Sequence, residues 1–105
     1  MTQRHASYRN IPMDLLRTLV TLAELRSFTK TAQALAVTQP AVSAQMRRLQ
    51  EFLEFEIFDK RAPGVRFTPR GESIVAQAHD ILALNDQLLS LVAAEQGQQA
   101  EIWSG

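Results

Sequence analysis

Apolar residues recur at three- and four-residue spacing in four separate stretches of the chain, which predicts a mainly α-helical protein. The first stretch, residues 12–26, predicts a helix with Leu15, Leu16 and Leu19 on its apolar face. A short second helix follows over about 27–36, with a serine or a threonine at its start as the capping residue.

The third helix begins within TQPAVSAQMRRLQ, residues 38–50, and runs to about residue 53. Thr38 is a good N-cap, and Pro40 falls in the first turn, where its missing N–H removes no intrahelical hydrogen bond. The predicted buried stripe consists of Val42, Met46, Leu49 and Leu53. The opposite face is small and polar at its start and basic further along, with Pro40, Ser43, Ala44, Arg47 and Glu51 at its centre and Gln39 and Arg48 towards its flanks.

Pro63 and Gly64 separate two short segments, residues 57–61 and 65–68, and are typical of the centre of a type II turn. The pattern predicts a small β-hairpin after the third helix. Because two strands are marginally stable alone, this hairpin is expected to pack against the helices. The cations near it are Lys60, Arg61 and Arg66.

A last, long helix is predicted from about residue 69 to 96, since Thr68 and Pro69 repeat the capping pattern and Gly97 is a plausible stop. Its length of roughly 40 Å exceeds what so small a domain covers. A heptad seam runs along it, formed by Ile74, Ala78, Ile81, Asn85, Leu88 and Val92. A lone asparagine in such a seam can fix pairing register, which favours a dimer. In the alternative interpretation, Asn85 is exposed and the helix packs back on its own core.

The composition is that of one small domain, in which the first part of the chain is basic and the last part is acidic. The 105 residues suffice for a single modest core, and the polar first ten residues predict a flexible arm. Residues 1–70 hold all 11 Lys and Arg residues with six acidic ones, a formal charge of +5, whereas residues 71–105 carry −5. This asymmetry favours a polyanionic partner for the first part, although drift in composition gives the same pattern.

Several functional classes find no support in the residues. There is no cysteine, which removes disulfides and cysteine-based metal sites and fits a reducing cytoplasm. His5 and His79 have no companion ligands, so no metal site is predicted. No apolar stretch is long enough to span a bilayer, and no glycine-rich phosphate loop or catalytic constellation occurs, so the sequence predicts neither an enzyme nor a cofactor.

The predicted elements together describe a helix-turn-helix, and a hairpin after the third helix makes it winged. An α-helix fits the major groove of B-DNA, where small residues such as Ser43 and Ala44 let the backbone approach base edges. On this hypothesis Arg47 is positioned to contact a guanine or a phosphate, and Arg48 is positioned to contact the DNA backbone. Taken alone, the two arginines equally fit a solvated surface pair.

The segment FTKTAQALAVTQPAVSAQMRRLQEFLEFEIFDK, followed by GVRFTPRGE, resembles the N-terminal domain of LysR-type transcriptional regulators. The elements SFTxxAxxL, TQPAVSxQ, IFxK and VRxTxxGE occur in order, and the resemblance covers about residues 13–95. It implies a winged helix-turn-helix with the third helix in the major groove and the wing near the minor groove. It also implies a homodimer, formed through the long helix, on an imperfect inverted repeat of double-stranded DNA.

By motif position, the resemblance implies DNA-contacting or positioning roles for Thr29, Thr31, Thr38, Gln39, Pro40, Ser43 and Gln45, and a phosphate contact for Lys60. Two departures concern Ala44, where a basic residue is common, and Glu54, where a turn glycine is common. To these the chain's own charge pattern adds Arg47, Arg48, Arg61 and Arg66 as candidate DNA-binding residues.

The predicted organisation is an arm (1–10), a DNA-binding domain (11–68), a linker and dimerisation helix (69–96), and a tail (97–105) leading to a ligand-sensing domain outside this chain. A small-molecule effector would require that further domain. The competing hypothesis is a helical protein-interaction module whose long helix is the functional part.

Overall fold

The protein is mainly α-helical, as the spacing of apolar residues predicts. The computed structural model describes the backbone of residues 9–104 and the side chains of residues 9–96. Within that part lie four helices: α1 (Met13–Leu25), α2 (Phe28–Leu35), α3 (Gln39–Leu53) and α4 (Pro69–Ser104). The number and order of the predicted helices are thereby confirmed. Most of the predicted arm (residues 1–8) and the side chains of the predicted tail (97–105) lie outside the described residues.

Side-chain caps begin three of the helices where the sequence predicts them. In each case a hydroxyl oxygen accepts a hydrogen bond from a backbone N–H in the first helical turn, which satisfies a donor that has no partner within the helix. These pairs, at 3.0–3.2 Å, are Ser27 with Lys30, Thr38 with Ala41, and Thr68 with Gly71. Helix α1 differs, because Pro12 precedes it as the N-cap and does not lie in its first turn.

Three helices end at a residue other than glycine in the left-handed backbone region. These residues are Arg26, Ala36 and Glu54, with φ of 54°, 57° and 61°. Each returns its N–H to a carbonyl of the preceding helical turn, as Glu54 does to Gln50 at 2.7 Å. This conformation costs an L-residue about 1–2 kcal/mol, so all three ends carry backbone strain that a glycine would not.

Helix α1 lies at the centre of the domain and packs against each of the other three helices. Its residues Leu15, Leu19 and Leu22 are fully buried. The stripe predicted on α3 is buried at Val42, Met46 and Leu49, whereas Leu53 is half-buried and packs at the edge of the core. Burial of this apolar surface is the main force that holds the three short helices together.

The prediction of a β-hairpin over residues 57–61 and 65–68 is wrong, since the described residues contain no β-strand. One antiparallel bridge joins Phe58 to Phe67. The pairing stops there because Asp59 turns the chain at once, its carboxylate accepting the Arg61 N–H at 3.0 Å. On the other side, Thr68 immediately caps α4. Gly64 has a φ of +72°, the positive value that the third position of a type II turn requires. We call residues 58–67 the wing.

The seam predicted along α4 divides into two parts. Ala78 is buried and Ile74 packs against the core of the same chain, so this half of the helix packs back on its own domain. A dimerisation role for the seam stays a prediction. Leu82 is buried in the domain's own core, whereas Ile81, the next seam residue, is exposed. The rest of the helix exposes a row of large apolar side chains: Ile81, Leu84, Leu88, Leu89, Leu91 and Val92.

A surface ion pair joins α4 to α1 beyond the core. Arg17 donates from Nη2 to Asp86 Oδ1 at 3.2 Å. That hydrogen bond, and secondly one from Asn85, hold the pKa of Asp86 below its ordinary value. Asn85, predicted as a register residue of the seam, is half-buried and makes this local contact.

Helix α4 continues to Ser104, so the prediction that it ends near residue 96 is wrong. A single glycine inside a helix costs only about 1 kcal/mol relative to alanine. Gly97 lies between good helix formers, with no proline after it, and the backbone continues through it. Among the described residues, no helix is long and apolar enough to cross a membrane. The same residues contain no cluster of side chains suited to hold a metal ion.

Candidate nucleic-acid interface

Most of the outer face of α3 is exposed. Pro40, Ala44, Arg47 and Arg48 are exposed, and Ser43 is half-buried. The predicted order along this face, small and polar residues first and basic residues afterwards, is therefore present on the surface. Such a face can enter a groove and bring backbone and short side chains close to a polyanion.

Helices α2 and α3 meet at the start of this face. Thr29 of α2 donates from its hydroxyl to Gln39 Oε1 at 3.3 Å, and both residues are exposed. The turn between the helices is closed by Ala36 in the left-handed region and by a hydrogen bond from the Val37 N–H to Ala32 O. The hydrogen bond between Thr29 and Gln39 places the amide of Gln39 at the edge of the exposed face.

Two residues carried over by resemblance point inward. Thr31 is fully buried, so it has no surface to offer to DNA, and its remaining role is to position α2. Gln45 is half-buried, and its amide group is hydrogen-bonded to the hydroxyl of Thr18 on α1. Gln45 thereby fixes the rotation of α3 about its axis, which is a positioning role.

A shallow groove connects the face of α3 to the wing. Its volume is about 340 Å³, and its lining includes Ser43 and Arg47 of α3, Phe28 of α2 and Lys60 of the wing. Side chains that are up to 32 residues apart in the sequence, from Phe28 to Lys60, thus share one concave surface with two cations at its border. The structure therefore joins the residues predicted on α3 to a residue predicted in the wing.

The predicted cations differ in their local partners. Lys60 pairs with Glu56 at 3.1 Å and Arg61 with Asp59 at 3.5 Å, all within the wing region. In the described part of the chain, no carboxylate lies within 4 Å of Arg47, Arg48 or Arg66. Exposed ion pairs contribute little stability, so Lys60 and Arg61 can exchange their carboxylates for phosphates at small cost.

Several arginines lie over phenylalanine rings, an arrangement that the sequence does not reveal. Arg48 lies 5.8 Å from the centre of the Phe52 ring, which Arg9 also approaches to 4.9 Å. Arg26 lies 5.2 Å from the centre of the Phe67 ring. Cation–π contact holds a guanidinium near an apolar surface while its N–H groups stay free for an anion.

Gln50 is a further residue that sequence reasoning missed. Its Oε1 accepts the Ile57 N–H at 2.8 Å and so fixes the path of the chain from α3 into the wing. No local signal could have found it, because the contact depends on how residues 54–57 turn back on the helix.

A short α2, a tight turn and an α3 with an exposed polar and basic face define a helix-turn-helix domain, a class that binds DNA through its second helix. More narrowly, the chain belongs to the lysR family of bacterial regulatory helix-turn-helix proteins, whose family pattern matches residues 13–72. The resemblance seen in the sequence is confirmed.

Curated relatives carry regulator names. HTH-type transcriptional regulator PecT of Dickeya dadantii is 37% identical over 87 residues, which cover 83% of this chain and 28% of PecT. HTH-type transcriptional regulator BudR of Klebsiella aerogenes is 40% identical over 74 residues, which cover 70% of this chain and 52% of BudR. The chain thus spans about half or less of the length of these relatives.

Solved structures of similar fold include full-length OxyR from Pseudomonas aeruginosa, with a TM-score of 0.76 and 35% identity over 81% of this chain and 29% of that one. The DNA-binding domain of BenM, in complex with catB site 1 DNA, gives a TM-score of 0.76 and 31% identity over 80% of this chain and 94% of that one. The similarity to BenM covers nearly all of a domain that was solved on DNA.

Proposed function

We propose that this chain binds double-stranded DNA sequence-specifically as a homodimer, with α3 in the major groove and the wing near the minor groove. The observation that carries the proposal is the exposed α3 face, which joins Ser43 and Arg47 to Lys60 in one groove. The BenM domain, solved in complex with DNA, supports the same use of a similar fold. On this proposal the site of action is the cytoplasm, where bacterial DNA lies.

The division of roles follows from where the side chains lie. Gln39, Ser43 and Arg47 are the proposed base-reading residues, because they border the exposed face of α3. Lys60, Arg61 and Arg66 are proposed as phosphate contacts from the wing. Thr38 and Pro40 start α3. Since Pro40 has no N–H and the Ala41 N–H donates to the Thr38 hydroxyl, the Gln39 N–H is the group of the first turn that is left for a phosphate. Ala44 supplies no base contact, so Arg47 is the main source of sequence discrimination.

The homodimer is proposed from the apolar row on α4. Leu84, Leu88 and Leu91 have exposed fractions of 66%, 61% and 58% on a helix of 36 residues. A second copy of the same helix would cover this row and would place two α3 helices on one duplex. Two heads related by twofold symmetry require an inverted repeat in the DNA.

The experiment begins with selection of bound duplexes from a randomised library by the purified chain. The selected inverted repeat is then titrated against a scrambled duplex at several salt concentrations. We expect tighter binding of the selected duplex and an affinity that falls as salt rises, because phosphate contacts release counterions. Equal affinity for both duplexes would contradict sequence-specific recognition, and independence from salt would contradict phosphate contact.

Variants separate base reading from phosphate binding. Arg47→Ala should weaken binding to the selected duplex by about 1–3 kcal/mol and reduce discrimination, whereas Lys60→Ala should weaken binding to all sequences and lower the salt slope by about 1. Arg17→Ala is the matched control, since Arg17 pairs with Asp86 on the α1–α4 side and should leave discrimination unchanged. If Arg47→Ala weakened both duplexes equally, its base-reading role would be wrong.

A further inference from the structure

Arg26 occupies a backbone conformation that its residue type disfavours. It follows α1 with φ of 54° and returns its N–H to Leu22 O at 2.8 Å. Glycine adopts this conformation freely, whereas a side chain at this position is strained. Ala36 and Glu54 share this conformation, so the strain alone assigns no role, and the contacts of the Arg26 side chain must carry the inference.

That side chain reaches the returning segment of the wing. Its Nη1 donates to Val65 O at 3.2 Å, and its guanidinium lies 5.2 Å from the centre of the Phe67 ring. Both contacts fall within three residues, on the segment that precedes α4. Arg26 therefore connects the end of α1 to the wing across 39 residues of sequence.

Besides this contact, the wing is held by its single bridge and by the packing of Phe58, Val65 and Phe67 against the core. Two backbone hydrogen bonds close its single bridge, from Asp59 N–H to Arg66 O at 2.9 Å and from Thr68 N–H to Ile57 O at 2.8 Å. The Phe58 ring contacts those of Phe67 and Phe28, with centroids 5.2 and 6.2 Å away. Even a complete two-stranded hairpin is marginally stable, so a single bridge depends on such outside contacts.

We propose that Arg26 is a positioning residue that clamps the wing to the end of α1 and so holds Arg66 in place for DNA. Arg26, Arg66 and Phe67 line one cleft of about 460 Å³, so movement of the clamp changes where Arg66 points. The part that concerns DNA rests on the proposed function, whereas the clamp itself is a property of the free protein.

If Arg26 clamps the wing, Arg26→Gly should change the stability of the whole domain and the local stability of the wing in opposite directions. The unfolding midpoint should stay the same or rise, because glycine relieves the backbone strain. Amide hydrogen exchange at Asp59 and Thr68 should nevertheless accelerate by roughly tenfold or more, because the wing opens locally without the clamp. Binding of the selected duplex should weaken by roughly fivefold, since a mobile wing must be ordered on binding.

Two further variants separate the clamp from charge and from backbone strain. Arg26→Lys keeps the charge but loses the planar stacking on Phe67, so it should restore the slow exchange only in part. Ala36→Gly relieves the same strain at φ of 57°, away from the wing, and should leave exchange at Asp59 and Thr68 unchanged.

Exchange at Asp59 and Thr68 that stays at the wild-type rate in Arg26→Gly would overturn the clamp. So would faster exchange spread evenly over the domain together with a lower midpoint, since that would mean a general structural role. Because exchange is measured without DNA, loss of wing protection in a protein that binds no duplex would support the clamp and contradict only the proposed function.

Discussion

Glu54 ends α3 in the left-handed region, with φ of 61°, although glycine is the residue that suits this position. We predict that Glu54→Gly raises the free energy of unfolding by about 1 kcal/mol, because relief of strain exceeds the added entropy of the unfolded chain. Urea denaturation measures the effect. Glu51→Gly is the matched control, since it makes the same substitution inside the same helix and should lower stability by about 1 kcal/mol. Equal losses in both variants would contradict the prediction.

Thr31 and Thr18 provide a second test at the scale of single residues. Both are buried, but the Thr31 hydroxyl has no hydrogen-bond partner among the described residues, whereas that of Thr18 donates to Asp14 O at 2.9 Å. We predict that Thr31→Val stabilises the domain by about 1 kcal/mol, because it removes a buried hydroxyl that is not hydrogen-bonded. Thermal denaturation provides the measurement, and DNA affinity should change little.

Thr18→Val is the control for this pair, since its hydroxyl also meets Gln45 of α3. Loss of that contact leaves the half-buried amide of Gln45 without this partner and should cost about 1–3 kcal/mol. If Thr31→Val proved as harmful as Thr18→Val, the hydroxyl of Thr31 would have a partner, and its role in positioning α2 would need another explanation.

At the scale of elements, the junction between α4 and the start of the wing depends on Gly71. A Cβ at this position would lie 2.2 Å from the carbonyl oxygen of Ile57, and this oxygen belongs to the backbone. We predict that Gly71→Ala lowers the free energy of unfolding by about 2 kcal/mol or more, because the two elements must move apart. Chemical denaturation followed by circular dichroism tests this.

Gly64 is the contrasting case within the same region. A Cβ there meets nothing within 4 Å, but φ is +72°. Gly64→Ala should therefore cost only the backbone strain of about 1–2 kcal/mol. A smaller loss for Gly71→Ala than for Gly64→Ala would show that α4 and the wing tolerate separation, contrary to the close approach seen at Ile57.

At the scale of the whole molecule, the apolar row on the outer half of α4 determines what the domain can assemble with. We predict that Leu88→Glu weakens self-association at least tenfold, or about 1.4 kcal/mol, because a charge would be buried in an apolar interface. Sedimentation at several concentrations, without DNA, gives the measurement. Ser90→Glu is the control, since it adds the same charge at an exposed position of α4 away from the row and should leave association unchanged.

Self-association that persists in Leu88→Glu would place the dimer interface elsewhere. Wild-type protein that associates but shifts no duplex would favour the competing hypothesis of a helical protein-interaction module. The wing and the outer face of α3 would then have no role in DNA binding. The substitutions Arg47→Ala and Lys60→Ala would have no measurable effect on function.

The sequence by itself determined the elements that local chemistry specifies. Hydrophobic spacing located the four helices of residues 9–104, and hydroxyl residues marked three of their starts, at Thr38, at Thr68 and at one of the pair Ser27 and Thr29. The stripe containing Val42, Met46 and Leu49 also located the outer face of α3, since the face opposite a buried stripe must be exposed. These features depend on residues within a few positions of one another.

The tertiary structure alone decided how far each element extends and which side chains meet. It reduced the hairpin to one bridge, buried Thr31, and turned Ile74 and Ala78 of the predicted seam into the domain's own core. It also brought Arg26 to the wing. The physical reason is that a periodic pattern shows which face of a helix is buried but not against what. The partner is chosen by packing between residues that are distant in the chain.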